Sequence, residues 1–279
     1  GKSALTANTT GTDNVAVGYK SLEDNTTGSN NTALGYSALE ANTTADDNVA
    51  VGYKALEINT TGASNTALGR QALQSNTTAS NNTAVGTSAL YANTTGANNT
   101  AIGYQVLDSN TTASENTGMG HNTLSANTTG AGNLGVGYQV LAANTTANYN
   151  TGVGYDSLND NTTGTENVAL GAFALDANTT ANNTAVGYSA LTANTTGTGN
   201  TAVGQGAGAA VTTGTNNTIV GKLAGDAITT GDANVAIGED ALSSTTTADN
   251  NVAIGQGAME ANTTGANNVA VGSAALDAN

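Results

Sequence analysis

Asn14-Val15-Ala16-Val17-Gly18-Tyr19 reads as an asparagine, a short strand and a glycine turn, and the same phrase returns along the whole chain. Its glycine marks the period: Gly1, Gly18, Gly35 and so on to Gly272 are 17 residues apart, except for the 16 between Gly171 and Gly187. A strict short period carrying a strand-like phrase is the signature of a solenoid, in which each repeat is one coil and buries apolar surface only against its neighbours. The expected fold is all-β, a parallel β-solenoid or β-roll of about sixteen 17-residue coils. Residues 1–279 read as a single repeat array.

Composition agrees with thin coils rather than a globular core. The chain has 36 Gly, one Phe and 9% charged residues, too few large side chains for a rounded domain of 279 residues. Disordered tracts share low hydrophobicity, but they do not hold aliphatics at one fixed phase. A net charge of −15, with Lys2, Lys20, Lys54, Arg70 and Lys222 as the only Lys and Arg, disfavours nucleic acid and anionic membranes as partners. Absence of Cys removes disulfides and thiolate metal sites. No signal segment and no apolar run of membrane-spanning length is present, so no membrane contact is expected in this segment. Gly1-Lys2-Ser3-Ala4-Leu5 matches Gly18-Tyr19-Lys20-Ser21-Leu22 in mid-repeat, and the chain stops at Asn279 just before a Thr-Thr is due. The expectation is a piece of a longer fibre.

Within the coil, Asn8-Thr9-Thr10 comes first, with Thr-Thr kept in every complete copy, and suits extended backbone with a hydroxyl ladder. Gly11 or Ala and polar neighbours then make a turn. The next phase is invariant: Asn14, Asn31, Asn48, Asn65, Asn82, Asn99, Asn116, Asn133, Asn150, Asn167, Asn183, Asn200, Asn217, Asn234, Asn251 and Asn268. A carboxamide both donates and accepts, so stacked copies are expected to form a structural Asn ladder. In the strand that follows, the Val17 phase is aliphatic and the Ala16 phase is Ala or Gly except for Ile219. The aliphatic phase is expected to line the coil with Leu22, Leu39, Leu56 and their successors as a second file. The Ala16 phase is then left for close approach by a neighbouring chain. Two coils differ together: Gly208 and Gly225 replace Leu, while Val211 and Ile228 replace Asn. Apolar bulk has moved along the coil there.

Three functional readings attach to these rows. Asn-Thr-Thr is a glycan-acceptor signal, which makes Asn8, Asn25, Asn42, Asn59, Asn76, Asn93, Asn110, Asn127, Asn144, Asn161, Asn178, Asn194 and Asn262 candidate sites for covalent glycans. Thr-Thr persists after Val211, Ile228 and Thr245, where no acceptor exists, so the pair has a structural task as well. Outward Asn8 and Thr10 rows would alternatively form the flat lattice of an ice-binding solenoid. Tyr19, Tyr36, Tyr53, Tyr104, Tyr138, Tyr155 and Tyr188 share one phase and form a candidate surface aromatic column that could meet a host or carbohydrate surface. His121 replaces Tyr there, and with no second His and no Cys a metal site is not expected. Asp13, Asp47, Glu115 and Glu166 share a turn phase too irregularly for a calcium array. No catalytic set, phosphate loop or cofactor motif is found, so no enzyme and no cofactor are expected.

The repeated phrase, as in Asn99-Thr100-Ala101-Ile102-Gly103 and Asn268-Val269-Ala270-Val271-Gly272, resembles the head repeats of trimeric autotransporter adhesins and the similar repeats of phage tail fibres. The resemblance covers the whole array. It implies a left-handed parallel β-roll, three chains side by side, and an extracellular, cell-surface or virion-surface location. The functional expectation is an extracellular structural fibre or adhesin shaft that forms a homo-oligomer, trimer favoured. A glycan-binding tail-fibre segment is the other reading that it implies. The coil is about three residues longer than the adhesin pattern, and the Asn-Thr-Thr phase is a departure from it.

Overall fold

A computed structural model describes residues 1–277; Ala278 and Asn279, where the array was read to stop, lie outside the described residues. It is a parallel β-solenoid, and the described residues hold no helix and sixteen short strands, one at each copy of the Asn-strand-Gly phrase. Contacts divide the chain into two units, Gly1–Val136 and a second starting at Gly137, each built from the same coil. In the first unit Val15–Val17 pairs in parallel with Thr32–Leu34 in the register Val15↔Thr32, Ala16↔Ala33, Val17↔Leu34, and the offset of one repeat recurs down to Thr100–Tyr104 on Thr117–His121. In the second unit the 16-residue repeat keeps register: Val168 still pairs with Thr184 and Leu170 with Val186. The missing residue is taken out of the turn between Asn178 and Asn183.

Backbone hydrogen bonds run between coils around most of the circumference, well beyond the strands. Thr32 donates to Asn48 O at 2.8 Å and Leu39 to Ala55 O at 3.0 Å, while Gly35 donates back to Val17 O at 2.9 Å. Closing so small a loop takes corners. The phases of Asp13, Lys20 and Leu22 adopt positive φ in coil after coil, for instance Asp47 at 60°, Lys54 at 58° and Leu56 at 50°. A leucine in this left-handed region costs about 1–2 kcal/mol. Complete burial of its side chain contributes about 1.5–3 kcal/mol, and Leu22, Leu39, Leu56 and Leu73 are wholly buried. Burial therefore outweighs the strain at the leucine corner.

The strand faces are the reverse of the sequence expectation. Ala33, Ala50, Ala67, Ala84 and Ala101 point into the coil and are fully buried, whereas Val17, Leu34 and Leu68 are 53%, 47% and 46% exposed. The interior is too narrow for two aliphatic files. It holds one Leu, two small residues such as Ala33 and Ala38, the Gly28 or Ala45 turn residue, and two asparagines. With Leu opposite, only Ala or Gly fits the inner side of the strand. Where Gly208 and Gly225 take the leucine's place, Ile219, Val211 and Ile228 are all fully buried and fill the space. A Cβ on Gly208 would lie 2.9 Å from Ile219 Cδ1 and 3.4 Å from Val211 Cγ2. The Ile219 exception and the two leucine losses are thus one packing event.

Candidate interaction face

Alternate residues of a strand share a face, so the phases of Val15, Val17 and Tyr19 together form the outer surface of the sheet. In the first unit this face carries Thr32 and Leu34, Thr66 and Leu68, with Tyr36 and Tyr53 at its edge, 46% and 44% exposed. Seven strands at about 4.8 Å and four residues at about 3.3 Å give a patch of roughly 400 Å² in that unit. The rings stack along it. Tyr19 and Tyr36 lie 5.1 Å apart, Tyr36 and Tyr53 5.4 Å, and Tyr104 continues onto His121 at 5.1 Å. In the second unit Tyr138 stacks on Tyr155 at 5.0 Å, and Phe173, one residue beyond the Tyr phase, links Tyr155 to Tyr188 edge-on. All seven tyrosines of the expected column are exposed, and the column is interrupted at Arg70, Thr87 and Ala172.

Neither the Val15 phase nor the Val17 phase contains an ionisable side chain in any coil of a chain with net charge −15. Acids sit instead in the corners and turns. Lys20 bridges Glu23 at 2.9 Å and Glu40 of the next coil at 2.8 Å, and Lys54 pairs with Glu57 at 2.9 Å. Hydrogen bonds to Glu40 and then Glu23 hold the Lys20 ammonium above the usual lysine range. In the second unit Asp176 has no cation; burial, then the charges of Asp160 and Asp156, push its carboxyl up to about 6.

Both asparagine rows face inward. In the invariant row, Asn14 Oδ1 accepts from the Asn31 backbone N–H at 2.9 Å, and Asn31 Nδ2 donates to Ala45 O at 2.8 Å. In the Asn-Thr-Thr row, Asn42 Nδ2 donates to Asn25 Oδ1 at 2.9 Å and to the same Ala45 O at 3.0 Å. One turn carbonyl therefore ties the two rows together. The second unit repeats the arrangement at Gly197 O, which accepts from Asn183 Nδ2 at 2.9 Å and from Asn194 Nδ2 at 3.0 Å.

This placement corrects the glycan-acceptor reading. Asn25, Asn42, Asn59, Asn76, Asn93, Asn110, Asn127, Asn144, Asn161, Asn178 and Asn194 are fully buried, and Asn262 nearly so. A glycan on Nδ2 would remove a used donor and has no way out of a closed coil. The ice-lattice reading loses its Asn8 row for the same reason. Of the two threonines, the first donates its hydroxyl to the next coil's backbone, as Thr26 does to Thr43 O at 3.0 Å. The second, Thr27 or Thr44, faces solvent.

Among the described residues no group of three or more His, Cys, Asp or Glu is arranged to hold a metal ion, and no helix is long and apolar enough to cross a membrane. No family model matches the chain, and no curated protein matches it in sequence.

Proposed function

We propose that this β-solenoid repeat protein is a shaft segment of an extracellular fibre or adhesin, and that it associates side by side with copies of itself through the outer face of the strands. The observation that carries the reading is the stripe of the Val15 and Val17 phases, which holds no ionisable side chain and sets a row of exposed Val, Leu and Ile beside a row of Thr and Val on an otherwise acidic chain. A face of roughly 400 Å² in one unit is comparable with the largest apolar patches of soluble monomers, about 300–600 Å², which are often functional. Repulsion between copies is least along this stripe, because the acids lie in other phases. The contact expected at the Ala16 phase moves to the Val17 phase, and Ala101→Glu would disrupt the coil rather than separate chains. Trimeric association and a cell-surface or virion-surface location follow from the resemblance to adhesin heads and tail fibres. The stacked tyrosines flank the stripe and supply flat aromatic surface for a host or carbohydrate contact. Light scattering tests the association: the parent chain is expected above its monomer mass of 27.1 kDa, and Leu34→Glu with Leu68→Glu at that mass with an unchanged β spectrum. A parent chain that stays monomeric at high concentration overturns the reading.

A further inference from the structure

One cavity stands out on the outer side of the leucine corner, where its lining residues flank Leu107 and Leu124 in sequence. It has a volume of about 250 Å³ and is lined by Gln105, Asp108, Ser109, Asn122, Ser125 and Ala126. The same corner five repeats earlier, 85 residues back, carries Lys20, Glu23, Asp24, Ser37, Glu40 and Ala41. There the Lys20 ammonium fills the space between the coils, 2.9 Å from Glu23 and 2.8 Å from Glu40. At the later corner Gln stands for Lys, Asp for Glu and Ser for Glu, so the side chains are shorter and bring no cation. Two oxygens are left buried without a hydrogen-bond partner, Asp108 Oδ1 and Asn122 Oδ1. Burial raises the Asp108 carboxyl above the usual aspartate range, consistent with a charge that has no counterpart.

We propose that this cavity binds a primary ammonium group from outside the chain, in the place that the corner five repeats earlier fills with Lys20. An ammonium offers three donors, and Asp108 Oδ1 and Asn122 Oδ1, with a serine hydroxyl or the Gln105 amide oxygen, provide matching acceptors. A calcium ion takes six to eight oxygens, and its affinity rises with the number of ligand charges; the single carboxylate here favours the ammonium. The cavity opens to solvent, which leaves room for the carbon attached to the nitrogen. The source of the group is a free amine or a lysine side chain on another protein.

Calorimetric titration of the full chain tests this with three probes: methylammonium, N-acetyl-lysine amide and tetramethylammonium. The first two are expected to bind once per chain, and tetramethylammonium, with the same charge and no N–H donor, is expected not to bind. Tighter binding of acetyl-lysine amide assigns the source to a protein side chain, and tighter binding of methylammonium assigns it to a free amine. Asp108→Asn should weaken methylammonium about tenfold or more, since a hydrogen bond to a charged group is lost. Gln105→Lys should abolish binding and raise the melting temperature by supplying the ammonium internally, because Lys20 and Lys54 hold that same backbone corner at φ 58°. No binding to the parent, equal binding to the parent and both variants, equal binding of tetramethylammonium, or displacement of methylammonium by equimolar calcium would each overturn the proposal.

Discussion

Asn99 shows how much one buried carboxamide carries. Its Nδ2 donates to Asn82 Oδ1 at 3.2 Å and Ala113 O at 2.9 Å, and its Oδ1 accepts from the Asn116 backbone at 3.0 Å. Asn99→Asp removes the donors and buries a charge, at a cost of about 3 kcal/mol or more. The neighbouring Asn98 is exposed, and Asn98→Asp should shift a denaturant midpoint very little; equal shifts would contradict the ladder. Ile219 is the second residue-scale test. It fills the volume that two leucines vacate, so Ile219→Ala should destabilise by about 2–5 kcal/mol in urea unfolding. Asn194 belongs to the same event: Val211 follows it in the ladder, and its Oδ1 is buried without a partner. Val211 and Ile228 at the Asn8 phase suggest from the sequence that this phase can turn inward where the leucine leaves room, and the structure turns it inward from Asn25 to Asn194 with the leucine in place. Those substitutions outrank the Asn-x-Thr motif, which describes acceptor chemistry and says nothing of direction.

At the scale of the coil, period, strand position and parallel register were legible, because glycine and asparagine recur at fixed phases. The direction of the strand faces was misread on side-chain size, and the neighbouring phase held the correct signal. Thr32, Thr66, Thr83 and Thr100 share a face with Leu34, Leu68, Val85 and Ile102, and a core row would not accept threonine so often. The left-handed leucine corners had no signal, since leucine normally avoids that region and only burial reverses the preference. Inner positions also trade volume between coils. Gly118 stands where most coils have Ala, and a Cβ there would lie 2.5 Å from Val106 Cγ1, itself where most coils have Ala. Gly118→Ala alone should cost about 1–3 kcal/mol through overpacking. Adding Val106→Ala should recover most of that loss, and a double-mutant cycle with no coupling would contradict the pairing. The invariant glycine after the strand has another cause: Gly86 has φ 129°, and a Cβ there would collide with the Gly103 carbonyl oxygen.

For the whole molecule the dominant facts are net charge and its distribution. Asp176 titrates near 6 in the folded chain because burial and two neighbouring aspartates oppose its charge. The folded state therefore holds this proton more firmly than the unfolded state, and stability through this group falls as pH rises from about 4 to 6. The melting temperature should rise on acidification from pH 7 to 5, and Asp176→Asn should raise it at pH 7 while flattening that rise. A variant with an unaltered pH profile would contradict the assignment. Association through a charge-free stripe should also strengthen with salt, which screens the acids in the turns. The central claim is that each coil keeps Ala, Leu and Asn inside and turns its strand aliphatics outward. Thermal melting of Ala67→Glu beside Leu68→Glu tests it most directly. The account predicts that Ala67→Glu loses the cooperative β transition of its unit, whereas Leu68→Glu keeps its β spectrum and a cooperative melt; the reverse order would contradict it.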